Sequence, residues 1–152
     1  MRYLLCLIAQ LIPLSPAWAG WQYTTWGMSP HQAAVASKGR VPENAGQPGQ
    51  HKPGLAVGNV GSYDAGTRHF SVVFYYASGG LFDVTLETKD LQGCRTLKED
   101  LVGVYGEPAK KYESIFLSFY DWKDEAKNNA VTLTDSGQFC TIMYRPLKAV
   151  GL

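Results

Sequence analysis

The sequence predicts an α+β fold in which two helices pack on antiparallel β-sheet, and three features carry that prediction. Apolar and polar residues alternate with period two over 68–88. A single helical stripe then runs from Cys94 to Tyr105. Helices and strand runs are segregated, with no βαβ alternation. The order of one helix, three strands, one helix and three strands also reads as a tandem α-β-β-β repeat.

The first residues are read as a leader. Met1-Arg2 is followed by an apolar run from Tyr3 to Leu14, then Ser15-Pro16 and Ala17-Trp18-Ala19. A positive start, a short apolar stretch and an A-x-A site make a secretory signal over 1–19, cleaved after Ala19. A transmembrane anchor needs about 20 apolar residues; this run is shorter and is interrupted by Pro13 and Pro16. The mature chain, 20–152, is then a single domain in the periplasm or secreted. Cys6 leaves with the leader, so Cys94 and Cys140 have one intramolecular pairing open to them. In an oxidising compartment that pair is expected as a disulfide. Closing the chain over 94–140 removes denatured-state entropy worth roughly 4 kcal/mol. A redox pair or metal ligands would call for C-x-x-C or a histidine at ligand spacing, and neither is present.

Without Arg2, 13 basic side chains face 13 acidic ones. That balance lacks the basic excess of nucleic-acid binders and of polybasic membrane-surface proteins. No second apolar segment is long enough to span a bilayer.

Trp21 to Trp26 reads as an aromatic lead-in or short edge strand. Ser29 as N-cap and Pro30 at the first helical position announce a helix over His31–Lys38, stopped by Gly39. Residues 39–58, with three Pro and five Gly, read as a long, polar, mobile loop, either functional or simply disordered. A strand at Leu55–Tyr63 is weakened by Gly58 and Gly61. The strand at Arg68–Ala77 sets Phe70, Val72, Phe74 and Tyr76 on one face. Leu81–Thr88 turns Phe82, Val84 and Leu86 inward and Asp83, Thr85 and Glu87 toward water. The second helix presents Cys94, Leu97, Leu101, Val104 and Tyr105, with Gly106 as its αL cap and Pro108 beyond. Strands follow at Ser114–Trp122, Ala130–Thr134 and Gln138–Arg145. Cys140 shares a face with Ile142 and Tyr144.

Catalytic patterns are sparse. His31, His51 and His69 have no partner at i, i+4, so neither metal nor cofactor is expected. There is no G-x-S-x-G nucleophile motif, and Gly58-Asn59-Val60-Gly61 is not followed by G-K-[ST]. Asp121, Asp124 and Glu125 cluster at a hairpin tip without the cleft a glycosidase needs. Trp21, Tyr23 and Trp26 either line a groove for a partner or cover one end of the sheet, and Tyr75 and Tyr120 are lesser candidates for the same partner surface.

Trp26-Gly27-Met28-Ser29-Pro30, Cys94 with Leu97 and Leu101, Tyr105-Gly106-Glu107-Pro108, Trp122, and Cys140-x-Ile142-x-Tyr144 together resemble a group of small exported bacterial proteins of unassigned function. The layout is similar to folds of the β-lactamase inhibitory protein and BamE type. The resemblance implies helices packed on antiparallel sheet; its motifs are caps, stops and core positions, so it carries over no inhibitory residues. BamE-type proteins are usually lipid-anchored, and this leader has no lipobox. The expected function is a non-catalytic binding module whose partner is another envelope or secreted protein. A secreted enzyme inhibitor is one alternative, and a small periplasmic hydrolase assembled from residues such as His69 and Asp83 is another.

Overall fold

A computed structural model describes residues 20–46 and 50–148; the leader over 1–19 lies outside them. The elements, in chain order, are α1 (Pro30–Ala36), β1 (Ala56–Ala65), β2 (Arg68–Ala77), β3 (Gly80–Thr88), α2 (Leu91–Tyr105), β4 (Lys110–Glu113), β5 (Ser118–Asp124), a 3-10 turn (Glu125–Lys127), β6 (Asn129–Asp135) and β7 (Cys140–Pro146). The strands form one antiparallel sheet in the order β1-β2-β3-β7-β6-β5-β4. The α+β fold expected from the sequence is therefore present. The first helix is followed by three strands and the second by four, so the two halves are not equal α-β-β-β units.

The helix signals act locally as their chemistry dictates. Ser29 accepts from the Gln32 N–H, and the Gln32 side chain accepts from the Ser29 N–H in return, closing a capping box. Asp90 accepts from the Gln92 N–H at the start of α2. Both helices pack on the sheet face that carries Phe70, Val72, Phe74, Leu86, Val131, Leu133 and Ile142, all buried. Of the α2 stripe, Cys94, Leu97 and Leu101 are buried, whereas Val104 is exposed. Ten residues at about 100° each put Val104 about 80° away from Cys94, past the edge of the stripe. Gly106 has φ 78 and ψ −163, a glycine conformation with extended ψ rather than the αL cap expected. The Cys94–Cys140 disulfide is formed and joins α2 to the start of β7.

Four local readings are corrected. Trp21 to Trp26 is a turn, not a strand: the Thr24 N–H and hydroxyl both donate to the Trp21 carbonyl. The first strand begins at Ala56 and runs through Ala65 despite its glycines, which have structural work. A Cβ on Gly61 would lie 2.3 Å from the Arg40 carbonyl oxygen, and one on Gly58 would lie 2.5 Å from the Tyr76 ring. In β3, a bulge opposite Tyr75–Tyr76 skips Phe82, so Leu81, not Phe82, points into the core with Val84 and Leu86. The expected strand over Ser114–Trp122 is instead a hairpin, with β4 preceding a tight turn at 114–117 and β5 following it.

The described parts of the 39–58 loop are anchored to the sheet. Val41 is fully buried. Residues 42–44 run antiparallel to 58–60 along the outer side of β1: Asn44 N–H donates to the Gly58 carbonyl and Val60 N–H to the Pro42 carbonyl. Behind them, buried Asn59 donates to the carbonyls of Pro30 and Val41 and accepts from the Tyr76 hydroxyl.

Candidate partner-binding surface

The β4–β5 edge hairpin carries four of the eight large apolar residues exposed among the described residues: Tyr112, Ile115, Phe116 and Leu117. Lys110 and Lys111 begin β4, a four-residue strand with every residue exposed. No strand lies on its outer side among the described residues. The turn that follows is fixed by Ser114, whose N–H and hydroxyl donate to the Leu117 carbonyl and whose oxygen accepts from the Leu117 N–H. This staple projects Ile115 and Phe116 into solvent, 90% and 78% exposed. The next turn at the same end repeats the device: Ser136 N–H and hydroxyl donate to the Phe139 carbonyl, leaving Phe139 partly exposed. Leu91, at the start of α2, adds a further exposed apolar residue where β3 ends opposite Cys140. Isolated surface apolar residues are ordinary, whereas large contiguous apolar patches accompany interaction sites.

The two faces of β4 differ chemically. Tyr112 stacks on Phe119 across the hairpin, with ring centroids 5.3 Å apart. On the helix-bearing face, Glu113 accepts from the Tyr120 hydroxyl at 2.6 Å and from Lys98 at 3.1 Å. The Tyr120 hydroxyl and the Lys98 ammonium hold the Glu113 carboxyl below the ordinary glutamate range. The Glu113 carboxylate in turn raises Lys98, whose ammonium lies 4.6 Å from the Tyr120 ring centroid.

A second polar cluster lies on the opposite face of the sheet from the core. Asp83 was expected to point toward water; it does leave the core face, yet it is fully buried. Lys52, from the segment before β1, reaches over the sheet and donates to both Asp83 oxygens at 2.7 and 2.8 Å. Arg145 Nε donates to Oδ2 at 2.7 Å and Thr85 to Oδ1 at 2.8 Å. Lys52 also sits 4.4 Å above the Tyr75 ring, and burial lowers its pKa despite the Asp83 charge. With both oxygens engaged by cations, Asp83 is a clasp rather than a general base.

The residues singled out from the sequence fall in different places. Trp21 and Trp26 are buried core, Tyr75 and Tyr120 are buried, and Tyr23 is half-buried. They cover the sheet rather than line an open groove, because each finds a partner there. Trp21 packs edge-on to Tyr63 and Phe74. Trp26 Nε1 donates to Asn129, which itself donates to the Gly20 carbonyl. His69 pairs with Asp64, and His31 with Glu43, both at the surface. Since Asp83 lies opposite Tyr75, it is six residues along β2 from His69, about 20 Å; the fold does not bring the two together. Asp121 accepts from Thr132, and Asp124 accepts from the Lys127 N–H. An open hollow of about 470 Å³ beside the 3-10 turn is lined by Lys123, Glu125, Asn128, Leu147 and Lys148. Among the described residues no cluster of three His, Cys, Asp or Glu is suited to a metal, and no helix is long and apolar enough to cross a membrane.

The exposed tip was missed because Ile115-Phe116-Leu117 reads as strand. The signal that marks it is Ser114, repeated as Ser136 in the next turn. Comparisons with protein families, curated proteins and solved structures each find nothing that matches this chain.

Proposed function

We propose that this protein is an exported, non-catalytic interaction module of the bacterial envelope. On this reading the leader is removed after Ala19 and the partner is held by the β4 edge and the neighbouring turns. The observation that carries the reading is the Ser114-stapled tip, which exposes Ile115 and Phe116 beside an uncovered strand. A preformed apolar tip binds without first ordering itself, which lowers the cost of association. The same property favours a second reading, a secreted enzyme inhibitor whose tip enters a cleft. The reading keeps a kinship with folds of the β-lactamase inhibitory protein and BamE type as part of the proposal, on the sequence motifs alone.

The test is a photo-crosslinking residue placed at Phe116, at Phe139 and at Val35, an exposed position on α1. In exported protein, adducts are expected from the first two positions and not from Val35. Equal adducts from all three would reject the surface. N-terminal sequencing of the exported chain should begin at Gly20; an intact Met1 would reject the leader.

A further inference from the structure

We propose that the β4 edge is completed by a second copy of this chain, joined antiparallel so that Lys111 lies opposite Glu113 of the other copy and Tyr112 meets its own counterpart. This rests on the reading of that end as a binding surface and names its occupant.

The register follows from main-chain geometry. β4 pairs with β5 as Lys110 with Asp121 and Tyr112 with Phe119, and Ser114 N–H donates to the Leu117 carbonyl in the same register. Hydrogen-bonded pairs alternate in an antiparallel ladder, so Lys110 and Tyr112 turn their main-chain groups toward β5. Those of Lys111 and Glu113 face outward. A second copy can bond only through these two residues, which leaves three short registers. Placing Lys111 against Lys111, or Glu113 against Glu113, opposes like charges, which destabilises a strand pair. The remaining register puts Lys111 against Glu113 twice, with the Tyr112 pair between them on the two-fold axis.

The side chains suit that arrangement. Both bonds to Glu113, from Lys98 and Tyr120, end on Oε1, so Oε2 remains for Lys111 of the other copy. Tyr112 already stacks on Phe119, and pairing would extend this into a four-ring row across the joint. Continuing the register brings Ile115 and Phe116 toward Ala109 and Pro108 of the other copy, covering part of the exposed tip. The two lysines that guard the edge against general strand pairing thus select one partner strand, its own.

The experiment uses sedimentation of the mature protein over about two decades of concentration, since self-association shifts with protomer concentration. Wild type should associate. Lys111→Glu and Glu113→Lys should each weaken association about tenfold or more. An equimolar mixture of the two should restore it, because the first supplies two acids and the second two lysines in opposing positions. Neither misfolding nor loss of the Lys98 pair can produce that rescue. Tyr112→Cys should form an intermolecular disulfide, its Cα atoms being about 4.5 Å apart across the axis. Lys110→Cys, about 14 Å from its counterpart, should not. A monomeric wild type, or a mixture without rescue, overturns the self-pairing. If Phe116 still yields adducts with another protein in that case, the binding surface stands and its occupant is foreign; if it yields none, both readings fall.

Discussion

Along β1, residues 42–44 run beside 58–60 and use outward main-chain groups that the sheet would otherwise leave to water; along β4, Lys111 and Glu113 leave theirs open. The contrast extends beneath each edge. Behind β1 lie Val41, Asn59 and Tyr76, all buried, and Lys52 fastens the adjoining segment to Asp83. Beside β4 the apolar residues Ile115 and Phe116 point outward and are held only by a local turn. One edge is finished by the chain itself at the cost of a long connection; the other is kept short, charged and available. Edges left open in proteins are usually protected or used; here the chain protects one, and the proposed function uses the other.

The comparison can be broken by substitution. The largest effect is expected from Asp83→Ala, which removes the acid that pairs with both Lys52 and Arg145 and leaves two cations facing each other. Both cations retain some access to water, so the loss should sit at the low end for a broken buried pair, about 3 kcal/mol in denaturant unfolding. Asn59→Ala should cost about 2 kcal/mol by stranding the carbonyls of Pro30 and Val41 and the Tyr76 hydroxyl. In hydrogen exchange the same variant should unprotect Asn44 and Val60 and leave the β5–β6 amides unchanged. A smaller effect follows from pH. Burial raises the pKa of Tyr144, with Tyr105 beside it adding to the rise, and burial likewise raises Tyr76. The folded chain keeps these protons where the unfolded chain, with tyrosines near 10, releases them. Stability should be fully present below about pH 9 and fall progressively above about pH 10, and Tyr76→Phe should flatten part of that slope. Smallest of all, Phe116→Ser should change stability by no more than about 0.5 kcal/mol while removing photo-crosslinks from the neighbouring tip. If Phe116→Ser instead cost as much as Asn59→Ala, the tip would be structural and the difference between the edges would vanish.

Much of the central sheet was legible. Arg68–Ala77 emerges with its expected bounds because Phe70, Val72, Phe74 and Tyr76 alternate without interruption. Ser29 and Pro30 fix the start of α1, and Cys94 and Cys140 meet as the spacing on their two elements requires. Three things were not legible, each for a physical reason. Lys-Lys-Tyr-Glu has no apolar face, so β4 exists through its pairing with β5 and not through a pattern of its own. The bulge at Phe82 shifts the alternation by one, which no local composition announces. The burial of Asp83 depends on Lys52, thirty-one residues away, and long-range pairing of charges leaves no periodic trace. The candidate surface suffered the reverse problem: an apolar triplet looks like core until its turn is seen to face outward.

The position of β7 carries a consequence for how the chain is made. Among the described residues it is the last strand in sequence and the middle strand in space, paired to β3 on one side and β6 on the other. Until it arrives, the molecule is two separate meanders, each with a raw inner edge, and Cys94 waits for a partner that opens that same strand. A ribosome therefore delivers the keystone only after both meanders have been made. Chains ending before Cys140 would lose the seam that makes one sheet of two, and the interval before β7 emerges is when the nascent protein most needs to be kept from sticking to its neighbours.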